Sequence, residues 1–341
     1  MRRPLVYIAL FGLALVALTV AGYAAYWYAA AGKVRAEIDG WVQDRRAAGW
    51  LVEMSKPDLG GFPFRIEVRL ADVRFAGPES DNRWSWELPP VVARAAPWRP
   101  THIRISAPGR QSIAVGTEKI ELAAVTADVD LAADSRSLKM GEARFGGVEL
   151  TLPDGAALKA ATARLRVDRG VMTGNGSLMA ETGLGVEMTA MRVRLPETWQ
   201  APLGPLVENV ALTAIATGTL NPHGTLPAAL ARWRDSGGAL EVRSFILDWK
   251  ALNLRAEGTF ALDGLLQPQG AATAQIDGID PTADALIAAG VIDARAAFAA
   301  KVANQALTLN GRPARLPLTV QDQRLFLGPV PLLRLKTIVW K

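Results

Sequence analysis

The chain has 341 residues, half of them apolar, with a net charge of +5, two histidines and no cysteine. The lack of cysteine excludes disulfides and cysteine-based metal sites. The small, scattered positive surplus does not favour nucleic acid as a partner, since that requires a basic stripe. The length suits one large β-domain or two modest ones.

The N-terminal segment predicts a membrane anchor. An uncharged apolar run, Leu5–Tyr28, is long enough to cross a hydrocarbon core of about 30 Å at about 1.5 Å per residue. Arg2 and Arg3 precede the run, so the positive-inside bias places the N-terminus in the cytoplasm. The far end carries aromatic residues typical of an outer interface, Tyr23, Tyr26, Trp27 and Tyr28. We therefore expect residues 1–32 to form a cytoplasmic N-terminus and a single-pass anchor in a bacterial inner membrane, with the bulk in the periplasm.

A cleaved signal peptide is the alternative for this segment. Ala29–Ala31 offers small residues to a signal peptidase, but the apolar run exceeds the usual h-region of about 7–15 residues. The following residues, 33–49, place Val34, Ile38 and Val42 at helical spacing between charged residues. This pattern predicts an amphipathic helix that continues the anchor outward. It either packs its apolar stripe on the exported domain or forms a simple stalk.

The exported part, residues 50–341, is dominated by a period of two. In Leu252–Asp263, apolar or small residues at even positions alternate with mostly polar residues at odd positions. One buried and one solvated face is typical of antiparallel sheets. We expect on the order of 14–18 strands separated by turn residues. Short helices are predicted after Thr225 and after Asp280.

These patterns predict a mainly β fold, in which the transmembrane helix is followed by a large antiparallel curled sheet, either an open half-pipe or sandwich-like. A sheet of so many strands cannot stay flat. Small residues on the apolar face, such as Ala256 and Gly258, favour an apolar groove, because a sheet-on-sheet core requires large side chains. A lobe boundary is expected near residues 196–205, which include three prolines.

One motif at the start of the first regular strand is a candidate contact site. It consists of Gly60, Gly61, Phe62, Pro63, Phe64 and Arg65. The glycines suit a tight turn, and a proline is tolerated at a strand start. We expect a structural turn whose two phenylalanines plug one end of the core, with a functional contact as the alternative.

A second candidate is a group of tryptophans near arginines, Trp84, Trp86 and Trp98. Aromatic and basic residues together bind lipid headgroups, glycans or single-stranded nucleic acid. Ordinary packing at the rim of a sheet is the interpretation that we favour.

The sequence indicates no catalytic, cofactor or metal site. His102 falls at a solvated position of an alternating strand, and His223 lies in a turn. The spaced glycines match neither a phosphate loop nor a nucleophile elbow in strand–turn–helix context. We therefore expect a protein that is not an enzyme.

Three stretches together carry a resemblance to a known family. They are the anchor with its amphipathic helix, the Gly61–Arg65 motif, and the segment Gly258–Gly264 followed by Leu266–Gly270. They resemble an uncharacterised Gram-negative envelope family, domain of unknown function 2125, over nearly the whole chain. The stretch from Ala256 to Gly290 is also similar to the C-terminal region of AsmA-like proteins, which are anchored in the inner membrane and carry long curled sheets. That similarity implies a role in lipid traffic or outer-membrane maintenance, although this chain is too short to bridge the periplasm alone.

The expected function is therefore lipid or amphiphile binding or transfer in cell-envelope maintenance, by a membrane-anchored periplasmic protein with an apolar β-groove. Its expected partners are the inner membrane, through Leu5–Tyr28, lipid, and an envelope protein. The alternative is a non-catalytic envelope scaffold that holds a partner through a sheet edge or the Trp84–Trp98 region.

Overall fold

The computed structural model describes residues 3–78, 84–134, 137–169, 183–218, 225–295, 297–298, 301–302, 315–328 and 330–340. The fold is mainly β with antiparallel strand pairing, behind a long N-terminal helix, which confirms the predicted fold class. The chain divides into two compact units, Met1–Lys119 and Ile120–Lys341.

The first unit begins with α1, a single helix from Arg3 to Ala47. The anchor and the amphipathic segment predicted after it are continuous in this one helix, which is about 67 Å long at about 1.5 Å per residue. Arg45 and Arg46 occupy its last turn, where positive charge favours the helix dipole. Gly49 then adopts a left-handed φ of 83° and reverses the chain.

Eight short strands follow in the described part of the first unit. They are β1 (Leu51–Glu53), β2 (Asp58–Gly60), β3 (Ile66–Leu70), β4 (Val73–Ala76), β5 (Trp84–Leu88), β6 (Val91–Ala96), β7 (Arg99–Ser106) and β8 (Gly109–Val115). They pair in two antiparallel groups, β1–β4–β5–β8 and β2–β3–β6–β7. The chain changes group at almost every second strand, so the two groups are interleaved in sequence.

The core of the first unit includes the helix. Trp27 and Ala31 of α1 are buried together with Ile66 and Val68 of β3. Because successive side chains of a strand point to opposite faces, Ile66 and Val68 share the face that meets the helix. The predicted apolar stripe thus packs on the strands instead of forming a stalk.

The second unit is a meander in which each strand pairs antiparallel with the next. Its strands are β9 (Glu118–Ala133, starting two residues before the boundary), β10 (Leu138–Thr151), β11 (Ala157–Arg169), β12 (Leu184–Arg194), β13 (Leu206–Thr217), β14 (Ala239–Trp249), β15 (Leu252–Leu262), β16 (Pro268–Asp277), β17 (Arg315–Gln321), β18 (Arg324–Leu327) and β19 (Val330–Arg334). Their order along the chain is also their order across the sheet.

Two α-helices of described extent interrupt this meander, and a short 3-10 helix, Glu197–Trp199, lies between β12 and β13. Helix α2 (Leu226–Asp235) begins directly after Thr225, as predicted. Helix α3 (Ile279–Ala288) begins before Asp280, which lies in its first turn. Gly278 takes a left-handed φ of 75° and turns the chain from β16 into this helix.

The unit boundary does not coincide with the predicted lobe boundary at residues 196–205. That segment connects β12 to β13, and the two strands pair with each other from Leu184 to Arg194. Its prolines therefore lie in a loop that joins two neighbouring strands of one sheet. The division lies near Lys119 instead.

The two faces of the second unit differ in chemistry. One row of apolar side chains crosses seven consecutive strands at registered positions, Leu165, Met188, Leu212, Phe245, Ala256, Ala274 and Leu316. On the opposite face, Glu142 Oε1 lies 3.0 Å from Arg144 Nη1 and 3.0 Å from Arg164 Nε. The period-two pattern thus separates an apolar face from an ionic face.

Candidate functional site

An apolar groove of about 940 Å³ lies between α1 and the strands of the first unit. One wall is the helix face from Tyr26 to Trp41. The other wall includes Ile66 and Leu70 of β3 and Phe75 of β4. The two interleaved strand groups therefore both contribute to the site.

The helix wall follows from residue spacing. Tyr26, Ala30, Val34 and Ile38 recur every four residues, so their side chains lie on one face of α1. Ala30, the smallest of the four, lines the groove near its Tyr26 end and also packs against the buried cluster around Trp27. From Tyr26 to Trp41 the wall extends for about 22 Å at about 1.5 Å per residue.

The ends of the groove are defined by aromatic and proline residues. At the far end, the Trp41 ring meets the Phe75 ring edge-on, with centroids 5.9 Å apart. At the near end, Pro97 and Pro100 line the groove beside Tyr26. The hydroxyl of Tyr26 donates a hydrogen bond of 3.0 Å to the carbonyl of Pro97, which fixes this end to the helix.

Charged groups occur at the rim. Lys33 and Glu37 line the groove and are exposed to solvent. They are one helical turn apart and so lie next to each other on α1. The site thus combines a long apolar interior with one positive and one negative group at its edge.

The Gly60–Arg65 motif fastens the strands to α1. The Tyr23 hydroxyl donates a hydrogen bond to the carbonyl of Pro63. The Trp27 indole N–H donates one of 2.9 Å to the carbonyl of Arg65. Gly61 has a left-handed φ of 95°, and a Cβ there would lie 2.7 Å from the Arg65 carbonyl oxygen, so only glycine fits this turn.

The expectation that the two phenylalanines of this motif plug the core is wrong. Phe62 is 46% exposed and Phe64 is 74% exposed. The space is already filled by Trp27, whose ring meets the Phe62 ring edge-on at 5.5 Å. Phe62 also stacks on Tyr28 of the helix. The helix supplies the core aromatic residue, and the motif packs around it.

Directly after the motif, Glu67 of β3 is buried in a cluster of arginines. Its Oε2 accepts a hydrogen bond of 2.8 Å from Arg94 Nε and lies 3.3 Å from Arg65 Nε. Arg69 pairs with its Oε1. The hydrogen bond from Arg94 lowers the pKa of Glu67 below its ordinary value, against the opposing effect of burial. This charge cluster joins β3 to β6, on the strand face opposite the groove.

The three candidate tryptophans belong to different groups of strands. Trp84 and Trp86 lie on β5, and the Trp84 ring meets the Trp50 ring edge-on at 5.5 Å. Trp98 lies in the turn between β6 and β7 and is 59% exposed. Trp84 thus has a packing partner, whereas Trp98 stands at the near end of the groove beside Pro97.

The late glycine-rich stretch of the second unit has a structural role. Gly258 opposes Ala272, and a Cβ on this glycine would lie 2.3 Å from the carbonyl oxygen of Ala271. Small residues here permit close approach of two strands. The groove that small residues predict for this sheet stays a prediction, since the apolar groove of the structure is a different one, in the first unit between α1 and the strands.

Gln267, in the same stretch, acts as a clamp. Its side-chain amide donates to the carbonyl of Ile338 at 3.0 Å and accepts from the Ile338 N–H at 2.8 Å. The Trp340 indole donates to the carbonyl of Leu266 at 2.8 Å. Residues 335–340 are thereby held on the turn between β15 and β16.

These observations define a class, an antiparallel, mainly β protein whose long apolar N-terminal helix forms one wall of an apolar groove. Within the residues whose side chains are described, Leu13–Ala47 is long and apolar enough to cross a membrane. The family model of an uncharacterized protein conserved in bacteria, DUF2125, matches residues 27–336. The chain belongs to this family, as the sequence resemblance predicts. Neither the curated proteins nor the solved structures include a match to the chain. The AsmA-like similarity stays a prediction.

The sequence contained a signal for the groove that strand patterns alone do not reveal. The four-residue repeat from Tyr26 to Ile38 continues an apolar helix face beyond the length that is needed to cross a membrane. Within a membrane-spanning segment, however, apolar residues occur all round the helix, which obscures such a stripe. The structure shows the stripe because its partners, Ile66 and Leu70, lie against it.

Proposed function

We propose that the protein binds a lipid or another amphiphile in the groove of the first unit and has no enzymatic activity. In this proposal α1 anchors the chain in a bacterial inner membrane, both units lie in the periplasm, and the protein serves cell-envelope maintenance. The observation that carries the proposal is a groove of about 940 Å³, mostly apolar, whose wall is the anchor helix itself.

The size and chemistry of the groove suit an acyl chain. Ligand pockets usually enclose about 300–1,000 Å³ and are lined mainly by apolar side chains. Each methylene exposed to water costs about 0.8 kcal/mol, so an acyl chain can leave a bilayer at little cost only when the groove covers its whole length. The long wall from Tyr26 to Trp41 provides such cover.

The rim favours an amphiphile over a purely apolar molecule. The Lys33 ammonium is a donor for a phosphate group, and the Glu37 carboxylate is an acceptor for an amine. A zwitterionic phospholipid headgroup carries both of these groups. Phosphatidylethanolamine is therefore the probe that we would use first.

The proposed orientation rests on charge. Arg2 and Arg3 precede the apolar run, and positive residues favour the cytoplasmic side. The same orientation places Lys33 and the groove outside the cytoplasm. The apolar face of the second unit would then also lie in the periplasm.

Native mass spectrometry on the full-length chain tests the proposal. The protein is released from nanodiscs containing phosphatidylethanolamine, and bound lipids are counted for the wild type, Ala30→Trp and Ala36→Trp. Ala30→Trp adds an indole inside the groove, whereas Ala36→Trp adds the same indole at an exposed position of the same helix. Lipids that surround the membrane segment are common to all three proteins and cancel in the comparison.

We expect one lipid to remain bound to the wild type and to Ala36→Trp. The affinity of the groove for lipid should fall at least about tenfold in Ala30→Trp, because losing a few covered methylenes exceeds the 1.4 kcal/mol that a tenfold change requires, and the bound fraction should fall with it. Equal lipid counts in all three proteins would contradict the proposal. A wild type without bound lipid would favour the scaffold interpretation and a search for an envelope partner.

A further inference from the structure

Exposed aromatic side chains gather at the near end of the first unit. Those outside the helix include Phe62, Phe64 and Trp98. Phe64 and Trp98 come from two separate loops, residues 61–65 and the 97–98 turn, which we call the aromatic loops. Single exposed apolar residues are ordinary on protein surfaces, but a cluster from separate loops marks an interaction surface.

Hydrogen bonds from α1 hold both aromatic loops at one level of the helix. Tyr23 donates to the carbonyl of Pro63 in the first loop, and Tyr26 donates to the carbonyl of Pro97 in the second. Tyr23 and Tyr26 are three residues apart, about 4.5 Å along the axis at about 1.5 Å per residue. The two loops therefore flank the helix side by side.

That level coincides with the end of the membrane-crossing length. From Leu5 to Tyr23 the helix rises about 27 Å at about 1.5 Å per residue, close to the hydrocarbon thickness of about 30 Å. Exposed apolar side chains such as Leu18 and Val20 lie just before it. Phe64 and Trp98 are thus fixed where the helix would leave the bilayer.

The charges of the aromatic loops are compatible with lipid headgroups. Arg65 closes the first loop and Arg99 follows the second, and residues 61–66 and 97–101 contain no acidic side chain. Arg65 also pairs with Glu67, but that carboxylate is shared with two further arginines. Aromatic rings accompanied by arginines are typical of the membrane interface.

We infer that the aromatic loops insert Phe64 and Trp98 into the outer headgroup region of the membrane that holds α1. The near end of the groove, where Pro97 and Tyr26 lie, is then placed at the bilayer surface. The partner is this bilayer, because the loops are tied to the helix at the level of its exit. The inference rests on the proposed anchoring by α1, and it adds a second contact that fixes the position of the first unit on the membrane.

Spin labels on single cysteines test this inference in the full-length chain. The chain has no cysteine, so Phe64→Cys and Trp98→Cys each provide a unique labelling site. Leu51→Cys is the control, since Leu51 is also exposed and follows the other end of α1. The helix end at Ala47, which Leu51 follows, is about 30 Å beyond Trp27 along the helix axis at about 1.5 Å per residue. Accessibility to oxygen and to a water-soluble nickel complex in phosphatidylethanolamine-containing vesicles gives the depth of each label.

We expect the labels at residues 64 and 98 to lie within about 5–10 Å of the boundary between headgroups and acyl chains, and the label at residue 51 to lie in water. Three labels that all lie in water would overturn the inference. The depth of the labels does not depend on whether lipid occupies the groove. The insertion can therefore be refuted while lipid binding is confirmed, and lipid binding can be refuted while the insertion is confirmed. If a labelled variant melts at a lower temperature than the wild type, fluorescence quenching by brominated lipid replaces the spin-label measurement. Quenching is then compared between the wild type and Trp98→Phe, and equal quenching in the two proteins contradicts the insertion.

Discussion

The two units use the same alternating strands but differ in what lies against the apolar face. In the first unit the helix α1 covers β3, and Trp27 is only 4% exposed in that contact. In the second unit the apolar row across the strands is buried at one end, where Leu316 is 1% exposed, and open at Leu165, which is 42% exposed. The pattern of a strand thus sets which face is apolar, whereas the neighbouring element decides whether that face becomes core.

This difference gives the two units different weak points. The first unit depends on one helix and on a few contacts to it, such as the hydrogen bond from Trp27 to Arg65. The second unit distributes its contacts over long strands that pair along ten or more residues, as in β10 and β11. We therefore expect single substitutions at the helix contact to have the largest effect.

Replacement of Trp27 by alanine should be the most damaging change. It removes a buried ring and leaves the Arg65 carbonyl without its donor, so the first unit should lose about 3–5 kcal/mol of stability. The matched control is Trp98→Ala, which removes an exposed indole and should cost less than about 0.5 kcal/mol. Hydrogen exchange followed by mass spectrometry reports the two units separately. Equal protection of β3 in both variants would show that the helix does not stabilise this unit.

Two leucines of the second unit allow a test along one row of side chains. Leu316→Ala should cost about 2–5 kcal/mol because it leaves a cavity beside Ile279 and Leu327. Leu165→Ala, in the same row, should cost less than about 1 kcal/mol because much of the side chain is already in water. Urea unfolding of the full chain, followed by amide hydrogen exchange in β11 and β17, measures the loss of stability in both variants. Similar costs would mean that the row is covered at Leu165 as well.

The smallest of the three effects, and one confined to the first unit, is expected at Glu67. Its pKa is lowered in the folded state, mainly by the hydrogen bond from Arg94, so its contribution is present above the ordinary value of 4.5 and is lost as pH falls through the folded value. Glu67→Gln should cost about 2 kcal/mol at pH 7, and the difference from wild type should shrink below about pH 4.5. Glu87→Gln, at an exposed pair with Arg74, should cost less than about 1 kcal/mol. A difference that does not change with pH would contradict the role of the Glu67 charge.

Much of the fold was accessible to sequence reasoning because the strand period is so regular. The faces predicted for Leu252–Asp263 agree with the burial of β15, in which even positions are half-buried and most odd positions are exposed. The long helix and the position of α2 also follow from composition and capping residues. These features are local, and local patterns suffice to predict them.

The groove and the exposure of Phe62 and Phe64 depend on contacts between distant residues. An aromatic residue before a strand can fill a core or leave it, and the choice depends on whether another ring already occupies the space. Here Trp27, more than thirty residues earlier, occupies it. No local period carries that information. The clamp by Gln267 is a similar case, since its partner Ile338 is separated from it by 71 residues.

The continuity of α1 also determines where the polypeptide can be divided. A fragment that starts after the apolar run, at residue 33, keeps every strand but removes Trp27 and Ala31 from the core and uncovers Ile66 and Val68. A fragment that starts before Tyr23 keeps the core but also keeps part of the apolar run, whose side chains would be exposed to water. Trp27 belongs both to the apolar run and to the core, so we expect the intact first unit to require a membrane or a detergent.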